Sequence, residues 1–321
     1  MTQHSALSTQ HSAASGETPH PRILILGCSG QVGWELQRSL APLGEVIALD
    51  YDSKDHCGDF SQPEAVAQTV HTLRPDVIVN SAAHTAVDKA ESEVPFARLL
   101  NATAPGAVAQ VAKEIGALLV HYSTDYVFDG SGDAPRDEAA PTGPLSVYGQ
   151  TKLEGEQLIL QSDCKHLIFR TSWVYAARGG NFAKTMLKLG AEREALKIIN
   201  DQIGAPTGAD LLADVTAHAV KQYLSTQSSV LRSDFPYGLY HCVAAGETNW
   251  YDYACFVFDQ ARQAGRELKV QEISPIPTSV YPTPATRPLN SRLDTTKLQQ
   301  AFGLVLPDWK LGVARMIKEI L

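Results

Sequence analysis

Long apolar runs, basic clusters and paired cysteines are all scarce in this sequence of 321 residues. No apolar run approaches the ~20 residues that a membrane-spanning helix needs, and runs such as ILIL and VIV have the length of strands. The formal net charge is -8 and lysines and arginines form no cluster, which argues against a nucleic-acid-binding surface. We therefore expect a soluble globular protein with neither a membrane segment nor a nucleic-acid partner.

The cysteines are odd in number and none belongs to a C-x-x-C pair, which is typical of reduced thiols in a cytosol. We therefore expect a cytoplasmic protein with free cysteines at Cys28, Cys57, Cys164, Cys242 and Cys255. Residues 1–21 lack both the basic start and the apolar segment of a signal peptide. They are rich in serine, threonine, glutamine and histidine, and we expect a disordered tail outside the fold.

From Arg22 onward, apolar segments alternate with segments of helical periodicity. Strands buried on both faces, as in a parallel sheet, are predicted for RILILG, EVIALD, DVIVN, ALLVHYST and KHLIFRTSWVY. The alternation predicts an α/β fold with a doubly wound parallel sheet over residues 22–172. After about Val174 the periodicity loosens, which predicts a smaller mixed α/β C-terminal domain over residues 173–321. Part of that region, about 209–245, is expected to return to the first domain.

A glycine-rich loop follows the first predicted strand and leads into a helix. Its glycines, Gly27, Gly30 and Gly33, have the spacing G-x-x-G-x-x-G and enclose Gln31 and Val32. Glycines at such a junction let the backbone approach a pyrophosphate, whose charge is favoured at a helix N-terminus. The simpler alternative is a tight turn without a ligand. The strand before the loop favours a Rossmann-type dinucleotide-binding domain.

Asp50 closes the next predicted strand, where an acid can accept hydrogen bonds from an adenosine ribose. An acid there favours NAD, because it would repel a 2′-phosphate, although Lys54 could relieve that repulsion and leaves NADP open. Asp59 and Phe60 follow where a contact with the adenine edge is expected. A surface acid that caps the next element is the alternative interpretation of Asp50.

Tyr148 and Lys152 are four residues apart on a predicted helix, so their side chains share a face. A neighbouring cation can favour the phenolate of a tyrosine, whose ordinary pKa is ~10. This spacing by itself usually marks an exposed helix face. Here the pair is informative because of its place in the chain, after both the glycine loop and Thr124. The Thr124 hydroxyl lies at the carboxyl end of a predicted strand, which is where ligands bind in open α/β sheets.

Seven segments together resemble the dTDP-4-dehydrorhamnose reductase family, in the extended branch of the short-chain dehydrogenase/reductase superfamily that acts on nucleotide sugars. They are GQVGWELQRSL, AAHTAVDKAE, HYSTDYVFDG, VYGQTKLEGE, FRTSWVY, NDQIGAPTGADLLAD and RPLNSRLDTTKL. The resemblance runs from about Arg22 to the C-terminus. The tail and a stretch near SSVLRSDFPYG look unlike the family, and we expect the latter to be a surface insertion.

The resemblance implies reduction of the C4 keto group of dTDP-4-dehydro-L-rhamnose by NADPH or NADH, for dTDP-rhamnose and cell-surface polysaccharide synthesis. It assigns Tyr148 as the proton donor and Thr124 as the partner of the C4 oxygen. Lys152 is expected to lower the tyrosine pKa and to bind the nicotinamide ribose. Related 4,6-dehydratases have Thr-Asp-Glu where this chain has Tyr126 in third position, so the acid-base group for elimination is missing. Tyr126 itself is interpreted as a packing residue.

The resemblance also implies contacts that single residues would not reveal. It assigns the sugar contacts to Asp125 and Trp173, although Trp173 could equally be a core residue. Arg287 is expected to pair with the substrate diphosphate. The residues assigned to the neighbourhood of the cofactor are Ala83, His84, Thr85 and Tyr122.

Some relatives bind a divalent ion, and the resemblance implies an Mg²⁺ site where two subunits of a homodimer meet. The matching carboxylates are Glu35, Asp210 and Glu319, with Asp210 standing where a longer glutamate is usual. Three unrelated surface acids are the alternative.

Two other functions remain open from the sequence. The first is another sugar-nucleotide reductase or epimerase, which would keep Thr124, Tyr148 and Lys152 but differ in the sugar pocket. The second is a non-catalytic dinucleotide-binding subunit, as in relatives that regulate S-adenosylmethionine synthetase. The intact trio counts against this second alternative.

Overall fold

A computed structural model describes residues 20–228 and 235–321. The predicted N-terminal tail falls almost entirely outside these ranges, as does most of the predicted surface insertion. The strands of the described residues are β1 (Arg22–Leu26), β2 (Glu45–Leu49), β3 (Val77–Asn80), β4 (Leu118–Thr124), β5 (Lys165–Thr171), β6 (Val174–Tyr175), β7 (Ala195–Ile199), β8 (Ile203–Gly204), β9 (Thr207–Gly208), β10 (Gly238–His241), β11 (Thr248–Asn249) and β12 (Glu272–Ile276).

A short π-helical turn, Leu99–Thr103, joins a five-residue helix to the longer helix that begins at Ala104. The α-helices of the described residues are α1 (Gln31–Leu40), α2 (Pro63–Leu73), α3 (Val87–Ala90), α4 (Val94–Arg98), α5 (Ala104–Ile115), α6 (Val147–Ser162), α7 (Phe182–Glu192), α8 (Ala209–Ser228), α9 (Trp250–Gln263), α10 (Thr296–Phe302) and α11 (Trp309–Ile320). Within the described ranges, no helix combines the length and the hydrophobicity that crossing a bilayer requires.

The central sheet confirms the predicted doubly wound architecture. In the described residues this sheet contains six strands, all parallel, in the order β10-β5-β4-β3-β1-β2. Alternate side chains of β1 enter two different cores, as strand geometry requires. Ile23 and Ile25 pack with α1 and α8 on one face, whereas Leu24 and Leu26 pack with α2, α5 and α6 on the other.

A third core lies among the C-terminal helices α7, α9 and α11. Tyr253, Phe258, Trp309 and Val313 are buried there, next to the parallel pair of β7 and β12. The amphipathic patterns of NWYDYACFVFDQARQAG and WKLGVARMIKEIL predict α9 and α11, whereas α7 has no counterpart among the predicted helices. A two-stranded sheet of β6 and β9 links this region to the end of β5.

The segment KHLIFRTSWVY is not one strand, as its apolar character predicted. It is divided into β5 and β6, because Trp173 between them has a left-handed backbone with φ of +49°. A bulky residue rarely adopts this conformation, and its presence marks a site where tertiary contacts overrule local preference. All five cysteines are free.

A buried ion pair holds α6 against the sheet. Arg170 on β5 donates from Nε and Nη2 to the two carboxylate oxygens of Glu156 on α6, at 2.9 and 2.6 Å. Both side chains are at least 95% buried, with 5% and 1% of their surfaces exposed. This two-pronged geometry fixes both the position and the rotation of the helix that carries Tyr148 and Lys152.

We predict that Glu156→Ala lowers the free energy of unfolding in urea by about 3–5 kcal/mol, because it leaves the Arg170 guanidinium buried without a counter-charge. Glu154→Ala on the same helix is the matched control, since its ion pair with Arg98 is partly exposed. The control is expected to show a far smaller loss. Equal losses in the two variants would contradict a special role for the buried pair.

Candidate active site

A cavity of about 900 Å³ lies along the carboxyl edge of the central sheet. Residues that follow the ends of β1 to β5 all contribute to it, as expected for an open α/β sheet. The residues predicted from sequence that line the cavity are Gly27, Gly30, Gln31, Val32, Asp50, Asp59, Phe60, Ala83, Thr85, Tyr122, Thr124, Asp125, Tyr148, Lys152 and Trp173.

The glycine loop fits a dinucleotide pyrophosphate in its backbone geometry. Gly27 has φ of +84°, and a Cβ atom there would lie 2.6 Å from the backbone nitrogen of Ala82. Gly30 is the N-cap of α1, and no side chain of the described residues caps that N-terminus. The first-turn N–H groups therefore favour an anion. Gly33 lies outside the cavity lining and lets α1 pack against the carbonyl of Gly27, so its role is close packing.

The Asp50 carboxylate is held by backbone N–H groups at the rim of the cavity. Its Oδ2 accepts from the N–H of Ser29 and its Oδ1 from the N–H of Tyr51, each at 2.7 Å. Each carboxylate oxygen has a second lone pair, so these bonds are compatible with a ribose hydroxyl as a further donor.

Tyr148 enters the cavity from the first turn of α6. Ser146 caps this helix, accepting from the N–H of Gly149 at 3.2 Å. Burial raises the pKa of Tyr148 to about 12, although a hydrogen bond with Thr124 acts in the opposite direction. The result differs from the expectation that Lys152 lowers this pKa, because desolvation dominates. The phenol is therefore protonated at neutral pH, which is the state that a proton donor needs.

The end of β4 places three further polar groups beside Tyr148. The Thr124 hydroxyl donates to Oδ1 of Asp125 at 3.0 Å. Burial raises the pKa of Asp125 to about 6, and hydrogen bonds from Ser291 and Thr124 limit the shift. Tyr126 meets the edge of the Tyr148 ring at a centroid distance of 5.5 Å and an angle of 77°. It therefore packs as interpreted, and it also lines the cavity.

Lys152 lies one helical turn beyond Tyr148 and is 2% exposed. Its Nζ donates to the carbonyl oxygen of Tyr122 at 2.7 Å and lies 3.1 Å from Nε2 of His121. Burial lowers the pKa of Lys152 to about 8, while the nearby Glu156 acts against the shift. A lysine with this pKa exchanges its proton near neutral pH.

Trp173 forms one wall of the cavity together with Trp250, which begins α9. The two indoles are stacked, with ring centroids 3.6 Å apart and planes 16° from parallel. Gly204 also leaves space for Trp173, since a Cβ atom at position 204 would lie 2.9 Å from Cε2 of the indole. Trp250 in turn donates from Nε1 to Gln202 at 3.0 Å.

Two predicted site residues, His84 and Arg287, contact acidic side chains of the same chain. His84 lies outside the cavity lining, with its Nε2 3.0 Å from a carboxylate oxygen of Glu93. Arg287 donates from Nη1 and Nη2 to the two carboxylate oxygens of Asp88, at 3.1 and 2.8 Å. A diphosphate contact by Arg287 would have to compete with this ion pair.

The three predicted metal ligands do not form a centre within a single chain. Glu35 pairs with Arg38 at 3.3 Å, and Asp210 lies 3.6 Å from Arg315. Across residues 20–228 and 235–321, no group of three histidines, cysteines or acids could hold a metal ion. The prediction placed the ion between two subunits, together with Glu319, and it stays a prediction.

Several cavity residues were missed by the sequence analysis. Thr171 ends β5 and Ser172 follows it, so the rule that selected Thr124 also selects them. Trp250 belongs to the aromatic segment NWYDY, whose amphipathic pattern predicts a helix and gives no sign of the site. Phe96 and Leu100 come from α4 and the π-helical turn, and no sequence signal marks them.

Comparisons with known proteins agree with this site. The family model described as RmlD substrate binding domain matches residues 21–321. The dTDP-4-dehydrorhamnose reductase of Escherichia coli K12 is 60% identical over 298 residues, covering 93% of this chain and 97% of the relative. That of Salmonella typhimurium LT2 is 62% identical over 299 residues, with the same coverage of 93% and 97%.

Solved structures give the same result. The dTDP-4-dehydrorhamnose reductase of Clostridium acetobutylicum has a TM-score of 0.83 at 36% identity, covering 93% of this chain and 99% of its own. That of Bacillus anthracis, in complex with NADP, has a TM-score of 0.80 at 34% identity, covering 94% and 99%. Because the family model and these relatives span almost all of the described fold, the chain belongs to the dTDP-4-dehydrorhamnose reductase family.

Proposed function

We propose that this protein reduces the C4 keto group of dTDP-4-dehydro-L-rhamnose, giving dTDP-L-rhamnose, with NADPH or NADH as the reductant. The observation that carries the proposal is that Thr124, Tyr148 and Lys152 line one cavity together with the glycine loop. The relatives named dTDP-4-dehydrorhamnose reductase support the choice of substrate. The product would serve the synthesis of cell-surface polysaccharides, including lipopolysaccharide O-antigen.

The residues present fit a bound dinucleotide. Gly27 and Gly30, with the N-terminus of α1, would hold the pyrophosphate, and Asp50 would accept from the adenosine ribose. Lys152 would contact the nicotinamide ribose. When bound, the reduced nicotinamide supplies the hydride. The Bacillus anthracis relative binds NADP, which supports NADPH here, and Asp50 keeps NADH as an alternative.

The chain's own residues supply the proton and hold the substrate oxygen. Tyr148, protonated at neutral pH, donates its proton to the C4 oxygen as negative charge develops there. The Thr124 hydroxyl, which donates to Asp125 in the structure, would turn its single proton to the same oxygen and stabilise that charge. Asp125 and the wall formed by Trp173 would contact the sugar. Tyr126 replaces the carboxylate that elimination requires, so reduction is the chemistry that this site supports.

Four further features belong to the proposal, namely a division into two domains, a homodimer, an Mg²⁺ site and a cytoplasmic location. Residues 22–172 would form the dinucleotide-binding domain and 173–321 mainly the substrate domain, with about 209–245 returning to the first. The packing of α8 on α1 and the pairing of β10 with β5 support this return. A homodimer with Mg²⁺ between its subunits would use Glu35, Asp210 and Glu319. The free thiols support a cytoplasmic location.

The proposal predicts that Tyr148→Phe lowers kcat by about 10²–10⁴-fold, because the variant loses its proton donor while the cavity keeps its shape. The measurement is the loss of reduced-cofactor absorbance with enzymatically generated dTDP-4-dehydro-L-rhamnose, using NADPH and NADH in turn. The matched control is Tyr240→Phe, whose hydroxyl donates to the Pro236 carbonyl away from the cavity, and it is expected to retain activity.

Wild-type protein that binds the dinucleotide yet never oxidises it would contradict the reductase and favour the regulatory subunit. Turnover with other nucleotide sugars but not with this one would favour the other reductase or epimerase. Full activity in Tyr148→Phe would remove Tyr148 from the mechanism.

The stacked indoles predict a separate effect on the sugar. Trp250→Ala removes the partner that holds Trp173, so the KM for the dTDP-sugar is expected to rise roughly 3–10-fold, as for the loss of one aromatic pair. The affinity for NADPH, measured by fluorescence titration, is expected to stay unchanged. Trp34→Ala, at an indole that is 49% exposed, is the control. An unchanged KM in Trp250→Ala would contradict a role for the stack in sugar binding.

A further inference from the structure

Three buried polar side chains form a row that leads away from the cavity, behind Lys152. Asn80 at the end of β3 and His121 on β4 are register partners on neighbouring strands, and each is 1% exposed. The Asn80 amide nitrogen lies 3.0 Å from Nδ1 of His121. The other ring nitrogen, Nε2, lies 3.1 Å from Nζ of Lys152. The mechanism described above uses neither Asn80 nor His121.

The direction of each hydrogen bond in this row is fixed by one backbone group. The N–H of Ala82 donates to Oδ1 of Asn80 at 3.0 Å, so the amide NH₂ of Asn80 must face His121. Nδ1 of His121 therefore accepts. Burial lowers the pKa of His121 well below its usual value, so the ring is neutral. A neutral imidazole that accepts at Nδ1 carries its proton on Nε2.

This tautomer presents an N–H donor to Lys152. An ammonium group has donors only, so its charged form would oppose one N–H with another at 3.1 Å. A neutral amine has a lone pair that accepts from Nε2–H and keeps an N–H for the Tyr122 carbonyl at 2.7 Å. The amine form therefore satisfies every contact of the row, whereas the ammonium form does not.

The other charged and titratable groups around Lys152 act less directly. Glu156, on the next turn of α6, favours the ammonium form but is bound by the Arg170 guanidinium from β5. Tyr148, on the preceding turn, is protonated and uncharged at neutral pH. From β4, the imidazole of His121 makes the short contact with Nζ.

We propose that Asn80 and His121 set the protonation state of Lys152, with His121 as a positioning residue whose Nε2–H stabilises the neutral amine. The consequence of this arrangement for the catalytic cycle rests on the proposed function. Because a pKa of about 8 leaves most of Lys152 as ammonium at neutral pH, Lys152 can return a proton to the tyrosinate after Tyr148 has protonated the C4 oxygen. It then becomes the amine, which His121 stabilises. Lys152 then recovers a proton from solvent, so the cycle closes with one proton taken up. A lysine with an ordinary pKa of ~10.4 would part with its proton much less readily.

The first test needs no turnover. Ring tautomers are measured by long-range ¹⁵N–¹H correlation on protein labelled with ¹⁵N-histidine. At pH 9, His121 is expected to be protonated at Nε2 in the wild type. In Asn80→Asp the new carboxylate accepts from Nδ1, so the proton is expected to move to Nδ1. A wild-type ring protonated at Nδ1 at pH 9 would overturn the inference.

The second test is the pH profile of kcat. Activity is expected to fall as pH rises through the pKa of Lys152, near 8, because the ammonium that restores Tyr148 is lost. Asn80→Asp and His121→Gln both offer Lys152 an acceptor, so each is expected to move this alkaline limb upward by about one pH unit or more. His166→Gln on β5 is the control, since its ring bonds to the Cys164 carbonyl.

The two tests separate the inference from the proposed function. An unchanged alkaline limb in an active, folded His121→Gln would overturn the role of His121 while the reductase stands. A protein without turnover but with the expected tautomers would overturn the reductase while the proton arrangement stands. The wild-type spectrum decides even where Asn80→Asp fails to fold.

Discussion

The close attachment of α6 to the sheet is the constraint on which the site depends. Glycines let this helix approach its neighbours, because Gly149 lies against the Tyr126 carbonyl and Gly155 against the Asn101 carbonyl. The buried pair of Glu156 and Arg170 then fixes its rotation. As a result, the first turns of α6 meet the end of β4, and Tyr148 and Lys152 from the helix face one cavity with Thr124 from the strand.

Burial decides the chemistry of these side chains as much as their positions do. Desolvation keeps the phenol of Tyr148 protonated, which suits a donor, and brings the pKa of Lys152 close to neutral pH. The two effects are complementary, since one group gives the proton to the substrate and the other can replace it. Buried hydrogen bonds in a fixed direction, from Ala82 through Asn80 to His121, add a bias that solvent-exposed groups could not exert.

Much of this arrangement could be predicted because it depends on local sequence patterns. Continuous apolar segments such as ILIL gave the strands, and the order of the glycine loop, Thr124 and Tyr148 indicated the cavity. Contacts between distant segments could not be predicted in this way. Trp173 interrupts a strand-like segment and stacks on Trp250, and Arg287 pairs with Asp88. The local sequence around Trp173 or Arg287 does not indicate either partner. The tautomer of His121 likewise depends on a backbone N–H of another strand's end.

In the proposed reaction, C4 of the sugar receives a hydride from the reduced nicotinamide and its oxygen receives a proton from Tyr148. The most direct test supplies the wild-type protein with dTDP-4-dehydro-L-rhamnose and NADPH deuterated at the transferable position, followed by NMR of the sugar. We expect dTDP-L-rhamnose with deuterium at C4. Recovery of the keto sugar with intact reduced cofactor, or an epimerised sugar without net deuterium, would contradict it.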